Sequence, residues 1–449
     1  MPALPRSRSS RSRLSAVLLA AFIAACGGAG GDTSTVATAP AATTAAGNPT
    51  TTAPSGTTAA TPGASTATAA TTDPATTTAG VKALSAAAAQ WLDLDLDRLA
   101  AFAAPVMPAH YRTQNVTALD NTPVTDPITD RIATLGRVLF HDPRLSTNDA
   151  VACSSCHLQA NGFDDPGRLS TGVLGVRFVG TLAAQFTTAH AMRLGNLRYY
   201  EPGSTFWDKR ASSVEVQATQ PIQHPVEMGF DAAHGGLGAL LTKMAALPYY
   251  PELFEFAFGD AAITEVRMQR ALAQFERAMI SSGSAWDTAY ARTFDASLPD
   301  RGLSRPLPEL GTQQDRGRKL FMDPPNQGGL GCAGCHVPPT FALAANSRSN
   351  GLDAGETRVF KSPSLKNVGL SQAFMHDGRL ATIEQVIDHY DSGVQDGPAL
   401  DNRLRQPGGG PPRRLNLSVG DKAALAAFLR TLTDTAFVAD PKFASPFRK

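Results

Sequence analysis

The chain has 449 residues, 43% of them hydrophobic and 18% charged, with 40 Lys and Arg against 39 Asp and Glu. That balance excludes the basic excess with which a nucleic-acid binder attracts phosphate. A globular part of the size left after the N-terminal segments are set aside exceeds what one core usually serves, so two domains are expected.

The N-terminus opens on Arg6, Arg8, Arg11 and Arg13, followed by an apolar run at 14–25 that is short for a bilayer span. The run ends in Ile23-Ala24-Ala25-Cys26-Gly27. This resembles a bacterial lipoprotein signal over residues 1–26, and it implies acylation of Cys26 and a lipid anchor at a periplasmic or cell-envelope location. An ordinary cleaved signal peptide is the alternative reading. Without residues 1–25 the chain loses four Arg and becomes slightly acidic. Residues 27–80 are Ala, Thr, Gly, Ser or Pro at all but Asp32, Val36, Asn48 and Asp73. So few large apolar side chains cannot offset the entropy of ordering, and the segment reads as a disordered tether. Residues 81–129 read as an N-terminal extension.

The remaining cysteines fall in Cys153-Ser154-Ser155-Cys156-His157 and Cys332-Ala333-Gly334-Cys335-His336. Two thiols three positions apart can each form a thioether to a haem vinyl group, and the next residue places an imidazole under the iron. A zinc site would not need His after both pairs, and disulfides between residues three apart are uncommon. Two covalently bound haem c groups are therefore expected, with Cys153, Cys156, Cys332 and Cys335 as attachment points and His157 and His336 as iron ligands.

The surroundings of the motifs repeat. Gly136-Arg137-Val138-Leu139-Phe140-His141-Asp142-Pro143 precedes the first, and Gly317-Arg318-Lys319-Leu320-Phe321-Met322-Asp323-Pro324 the second. Each Pro stops a helix that carries a Leu-Phe pair toward the haem. Closing helices repeat as Ala271-Leu272-Ala273-Gln274-Phe275 and Ala424-Leu425-Ala426-Ala427-Phe428, the second capped by Ser418 with Asp421. The expected fold is all-α, two cytochrome c-like haem domains in tandem at 130–300 and 311–440. The insertion at 158–262 of the first copy is where new chemistry is expected.

With Phe206-Trp207-Asp208-Lys209-Arg210-Ala211, Pro221-Ile222-Gln223-His224-Pro225-Val226-Glu227-Met228-Gly229 and Met375-His376-Asp377-Gly378-Arg379 added to both haem motifs, the chain resembles the bacterial di-haem cytochrome c peroxidases and their MauG-type relatives over about residues 130–435. The resemblance implies that the first haem is the reaction centre and the second relays electrons. It implies that Glu227 is the distal acid, a role for which burial suits a carboxyl by raising its pKa. It further implies that Gln217 lies in the distal pocket and that Trp207 stands between the haems. A surface glutamate and a packing tryptophan are the plainer readings of Glu227 and Trp207.

For the distal ligand of the second haem, Met375 is available, while the family position that bears the ligand is Tyr390, as in MauG-type members. Tyr390 is favoured and Met375 stays open. The family's calcium segments match only His190-Ala191-Met192 and Ser371-Gln372-Ala373, and His is a poor ligand for a hard cation, so calcium is not assigned. His190 is also weighed as a reversible ligand of the first iron. The implied function is reduction of hydrogen peroxide with electrons from a small donor protein such as a cytochrome c or a cupredoxin. The alternatives are a MauG-type oxidase that modifies a partner protein and a non-catalytic electron carrier. Family members are often homodimers, but no interface is legible.

Overall fold

The computed structural model describes residues 83–173, 175, 186–200 and 205–449. The signal segment, Cys26 and the tether at 27–80 lie outside the described residues. What is described falls within one unit, Thr76–Lys449, and is rich in helix with little sheet.

Two helix pairs organise it. Asp130–His141 starts at Thr129, whose side chain caps Ile132 N, and its apolar face is buried from Ile132 to Phe140. It packs on Glu265–Arg277, which Thr264 caps in the same way. The two backbones cross at Gly136, where a Cβ would stand 1.9 Å from the Ala271 carbonyl oxygen and 2.8 Å from Phe275 Cβ. Only glycine permits that approach. Thr312–Met322 packs likewise on Val419–Arg430, whose N-terminus carries the expected Ser418–Asp421 capping box. Here the crossing is at Gly317, 1.9 Å from the Ala424 carbonyl oxygen and 2.9 Å from Phe428 Cβ. The repeat read in the sequence is thus a repeat of one steric device.

Aromatic packing repeats with it. Phe140 meets Phe275 at 5.4 Å and Phe163 at 6.1 Å, while Phe321 meets Phe428 at 5.3 Å and Phe341 at 5.9 Å. Phe163 and Phe341 both have positive φ, an unusual state for an aromatic residue that the surrounding packing must hold. Asn196 and Asn367 are left-handed too, and each pins the segment after a closing helix. Asn196 Oδ1 accepts from Ser281 N at 2.9 Å, and Asn367 Oδ1 from Asp434 N at 2.8 Å. The two cores are distinct: one surrounds Phe140, Leu272 and Phe275, the other Trp286, Phe321 and Phe428.

One departure from an all-α chain is a two-stranded antiparallel ladder, His336–Val337 with Ala342–Leu343, directly after the second haem motif. The N-terminal extension is not loose. Leu92 bridges to Phe447, Phe102 enters the first core, and the Tyr111 hydroxyl donates to the carbonyls of Ser281 and Pro339.

Candidate functional site

Cys153–Cys156 is a single helical turn, which places both thiols on one side, and Cys332–Gly334 forms a 3₁₀ turn that leads to Cys335. All four thiols are free of disulfides. His157 Nδ1 lies 3.2 Å from the Phe163 carbonyl oxygen. That carbonyl can accept a hydrogen bond from Nδ1–H, which leaves the Nε2 lone pair for a metal. Burial lowers the His157 pKa and brings that of His336 to about 4, so both imidazoles are neutral, the form that ligates. The donor sets fit a haem at each motif.

Beside His336 is a cavity of about 440 Å³, within the size range of cofactor sites, lined by Phe321, Cys332, Cys335, Leu425 and Leu429. Both candidate ligands face it. Asn350 Nδ2 donates to Met375 Sδ at 3.1 Å, and Asn350 lines the same cavity as Tyr390. Tyr390 sits in a π-helical turn, His389–Gly393, that continues the helix Ile383–Asp388. Such turns often mark functional sites. Arg403 and Arg413, from a loop with no role legible in the sequence, also line this cavity, and Arg403 Nη1 donates to the Gly334 carbonyl at 2.6 Å.

A second cavity of about 350 Å³ is lined by Phe206, Arg210, Gln220, Pro221, Gln223, His224, Pro225 and Glu227. Glu227 is set by a tight turn in which Gly229 N donates to the His224 carbonyl at 2.9 Å; Gly229 is left-handed and has no room for a Cβ beside Thr147. Burial raises the Glu227 pKa against the opposing pull of His224, 3.7 Å away, and Arg210. Gln217, half-buried on Val214–Ala218, is not among the residues lining this cavity; Gln220 and Gln223 are.

The duplication tells the two cavities apart. Residues 205–211 and 374–380 form equivalent loops, each closed by a bridge, Thr205 to Ala211 and Phe374 to Leu380. Each has a left-handed second residue, Phe206 or Met375, and each is followed at the same spacing by a helix cap, Ser213 or Thr382. In this register Phe206 answers to Met375 and Pro221 to Tyr390. Where the second half offers a thioether and a phenol, the first offers two side chains that cannot bind a metal.

The loop 205–211 touches both cavities: Phe206 and Arg210 line the one with Glu227, and Trp207 lines the one with His336. Trp207 Nε1 donates to the His190 carbonyl at 2.7 Å. His190 does not reach the first iron site as a ligand, because its Nε2 is 3.0 Å from Asp164 Oδ1 and its Nδ1 is 3.1 Å from the Arg168 carbonyl oxygen. Sequence reading missed Asp164, Asn350 and Glu276; a lone Asp, Asn or Glu carries no motif of its own.

Comparison with known proteins gives relatives for this chain. The family model described as "Di-haem cytochrome c peroxidase" matches residues 130–294 and 312–397. The methylamine utilization protein MauG of Methylorubrum extorquens is 29% identical over 326 residues, covering 69% of this chain and 80% of that protein. Cytochrome c551 peroxidase of Nitrosomonas europaea is 29% identical over 275 residues, 57% of this chain and 72% of the relative. A crystal structure of a MauG-like protein associated with microbial copper homeostasis superposes with a TM-score of 0.57 at 27% identity, covering 73% of this chain and 96% of that one.

Proposed function

The chain belongs to the di-haem cytochrome c peroxidase family, and from that premise we propose that it reduces hydrogen peroxide to water with electrons from a small redox protein. The observation that carries this reading is the contrast between the cavities: where the one beside His336 offers Met375 and Tyr390, the one with Glu227 has Phe206 and Pro221 in the equivalent places, and of the two only it holds a carboxyl of raised pKa.

Cys153, Cys156 and His157 would hold one haem covalently and Cys332, Cys335 and His336 the other, in the halves at 130–300 and 311–440. A bound haem supplies redox-active iron, at which the O–O bond of peroxide is reduced. Glu227 would take a proton from one peroxide oxygen and return it to the other, a transfer worth about 10²–10⁴ in rate when the group is well placed. His224 and Arg210 bias it toward the carboxylate that can accept. Trp207 offers an indole between the cavities as the path for electrons. The donor would be a cytochrome c or a cupredoxin, met in the periplasm by a chain anchored through Cys26.

Steady-state consumption of peroxide by the holoprotein with reduced cytochrome c tests this; no turnover with any reduced donor would count against it. A MauG-type oxidase acting on a partner protein is the second reading, favoured by Tyr390 facing the cavity beside His336. An anionic oxygen ligand stabilises oxidised iron over ferrous. Oxidation of a partner protein without donor turnover would select it.

A further inference from the structure

A buried polar network runs along one wall of the cavity beside His336, to which Asp164, His190 and Arg193 contribute. Asp164, on the loop that leaves the first motif and pairs back to Leu158, is 1% exposed. Its Oδ1 faces His190 Nε2, and its Oδ2 accepts from Arg193 Nη1 at 3.2 Å and from Ser371 Oγ at 2.5 Å. Arg193 is 6% exposed. Its Nη1 also donates to Ser371 Oγ at 2.5 Å, and its Nη2 to the Ser364 carbonyl at 3.3 Å. Burial alone would raise the Asp164 pKa, yet His190, Arg193 and Ser371 together hold it low.

The network joins the halves. Asp164, His190 and Arg193 belong to the first and Ser364 and Ser371 to the second. His190 is its outlet: the backbone carbonyl anchors the Trp207 indole, while its N–H donates to the His376 carbonyl at 2.9 Å. His376 stands in the 374–380 loop where Trp207 stands in the 205–211 loop, so one residue ties both equivalent loops. His190 and Ser371 are also where calcium-binding relatives would place ligands. The donor set does not fit that ion here. The Asp164 carboxylate and the Ser364 carbonyl are already bonded to a guanidinium, and a divalent ion beside a fixed buried cation is repelled.

We propose that Asp164 is a positioning residue: with His190, Arg193 and Ser371 it fixes Trp207 between the two haem motifs, and Arg193 supplies the cation of this junction so that no divalent ion is needed. The inference rests on both motifs carrying haem, as proposed above.

Two measurements on the holoprotein test it, and neither uses peroxide, so lack of peroxidase turnover would sink the functional reading and leave this one standing. In the first, metal analysis and thermal melts with calcium or EGTA should give less calcium than protein and one unchanged midpoint. Stoichiometric calcium, or a midpoint lowered by EGTA, would overturn the proposal. In the second, the second haem is reduced by a flash-generated donor and electron arrival at the first is timed. Asp164→Asn should slow that transfer by about tenfold or more, with the resting absorption of each haem unchanged. Ser371→Ala, a milder change for use if Asp164→Asn fails to load haem, should slow it about two- to threefold. Transfer at the wild-type rate in the variant that loads would overturn the positioning role.

Discussion

Glu276 stands at the place on its closing helix where the second half carries Leu429, a residue lining the larger cavity. It is 5% exposed, its Oε2 has no partner among the described residues, and burial, opposed by Arg277 and reinforced by Glu215, moves its carboxyl up to about 8. The folded chain therefore keeps a proton that the unfolded chain releases near pH 4.3, at about the ordinary glutamate value. A carboxyl raised on folding stabilises below that lower value and loses stability as pH rises toward 8, at up to about 1.4 kcal/mol per pH unit. Glu276→Gln removes the term, so thermal melts at about pH 5 and about pH 8 should show a smaller loss of midpoint than in the wild type. An unchanged loss would mean the carboxyl is not protonated in the fold. Tyr390→Phe makes a second prediction at this scale. If the phenol ligates the second iron, the low-spin spectrum of that haem changes; an unchanged spectrum assigns the position to Met375, which Asn350 holds beside it. The motif cysteines and histidines stand out in the sequence because thioether attachment of haem would fix such a spacing. Asp164, Asn350 and Glu276 do not, because their surroundings come from neighbours 25 to 207 residues away or from burial alone.

At the scale of elements, the helix pairs were readable from glycine, Leu-Phe and the closing Ala-Leu-Ala repeats, since close crossing demands all three. Gly136→Ala and Gly317→Ala should each destabilise the holoprotein by about 2 kcal/mol or more, because the new Cβ meets a carbonyl oxygen rather than a side chain that can turn away. Denaturant melts check this, and a loss well under 1 kcal/mol would show that the helices slide apart. The π-helical turn at Tyr390, the left-handed Phe163 and Phe341 and the short ladder after His336 left no pattern in the sequence. Each is imposed by tertiary packing on residues that alone prefer other conformations. The equivalence of loops 205–211 and 374–380 was hidden too. Their sequences share little beyond Asp and Arg, and only the common bridge and cap reveal it.

Across the whole molecule, duplication supplies two haem-binding frames, and divergence at a few positions separates their tasks. The second frame keeps Met375 and Tyr390 on its cavity; the first replaces them with Phe206 and Pro221 and adds Glu227. Trp207 stands on a loop that lines both cavities, where the proposed electron path would run. The central claim is that the cavity with Glu227 is the peroxide-reducing centre. Rapid mixing of peroxide with the reduced di-haem protein, in the wild type and in Glu227→Gln, tests it most directly. Loss of the carboxylate should slow peroxide cleavage by about 10²–10⁴ while leaving both haems bound. Equal rates in the two proteins, or two six-coordinate haems indifferent to peroxide, would contradict it and leave an electron carrier in its place.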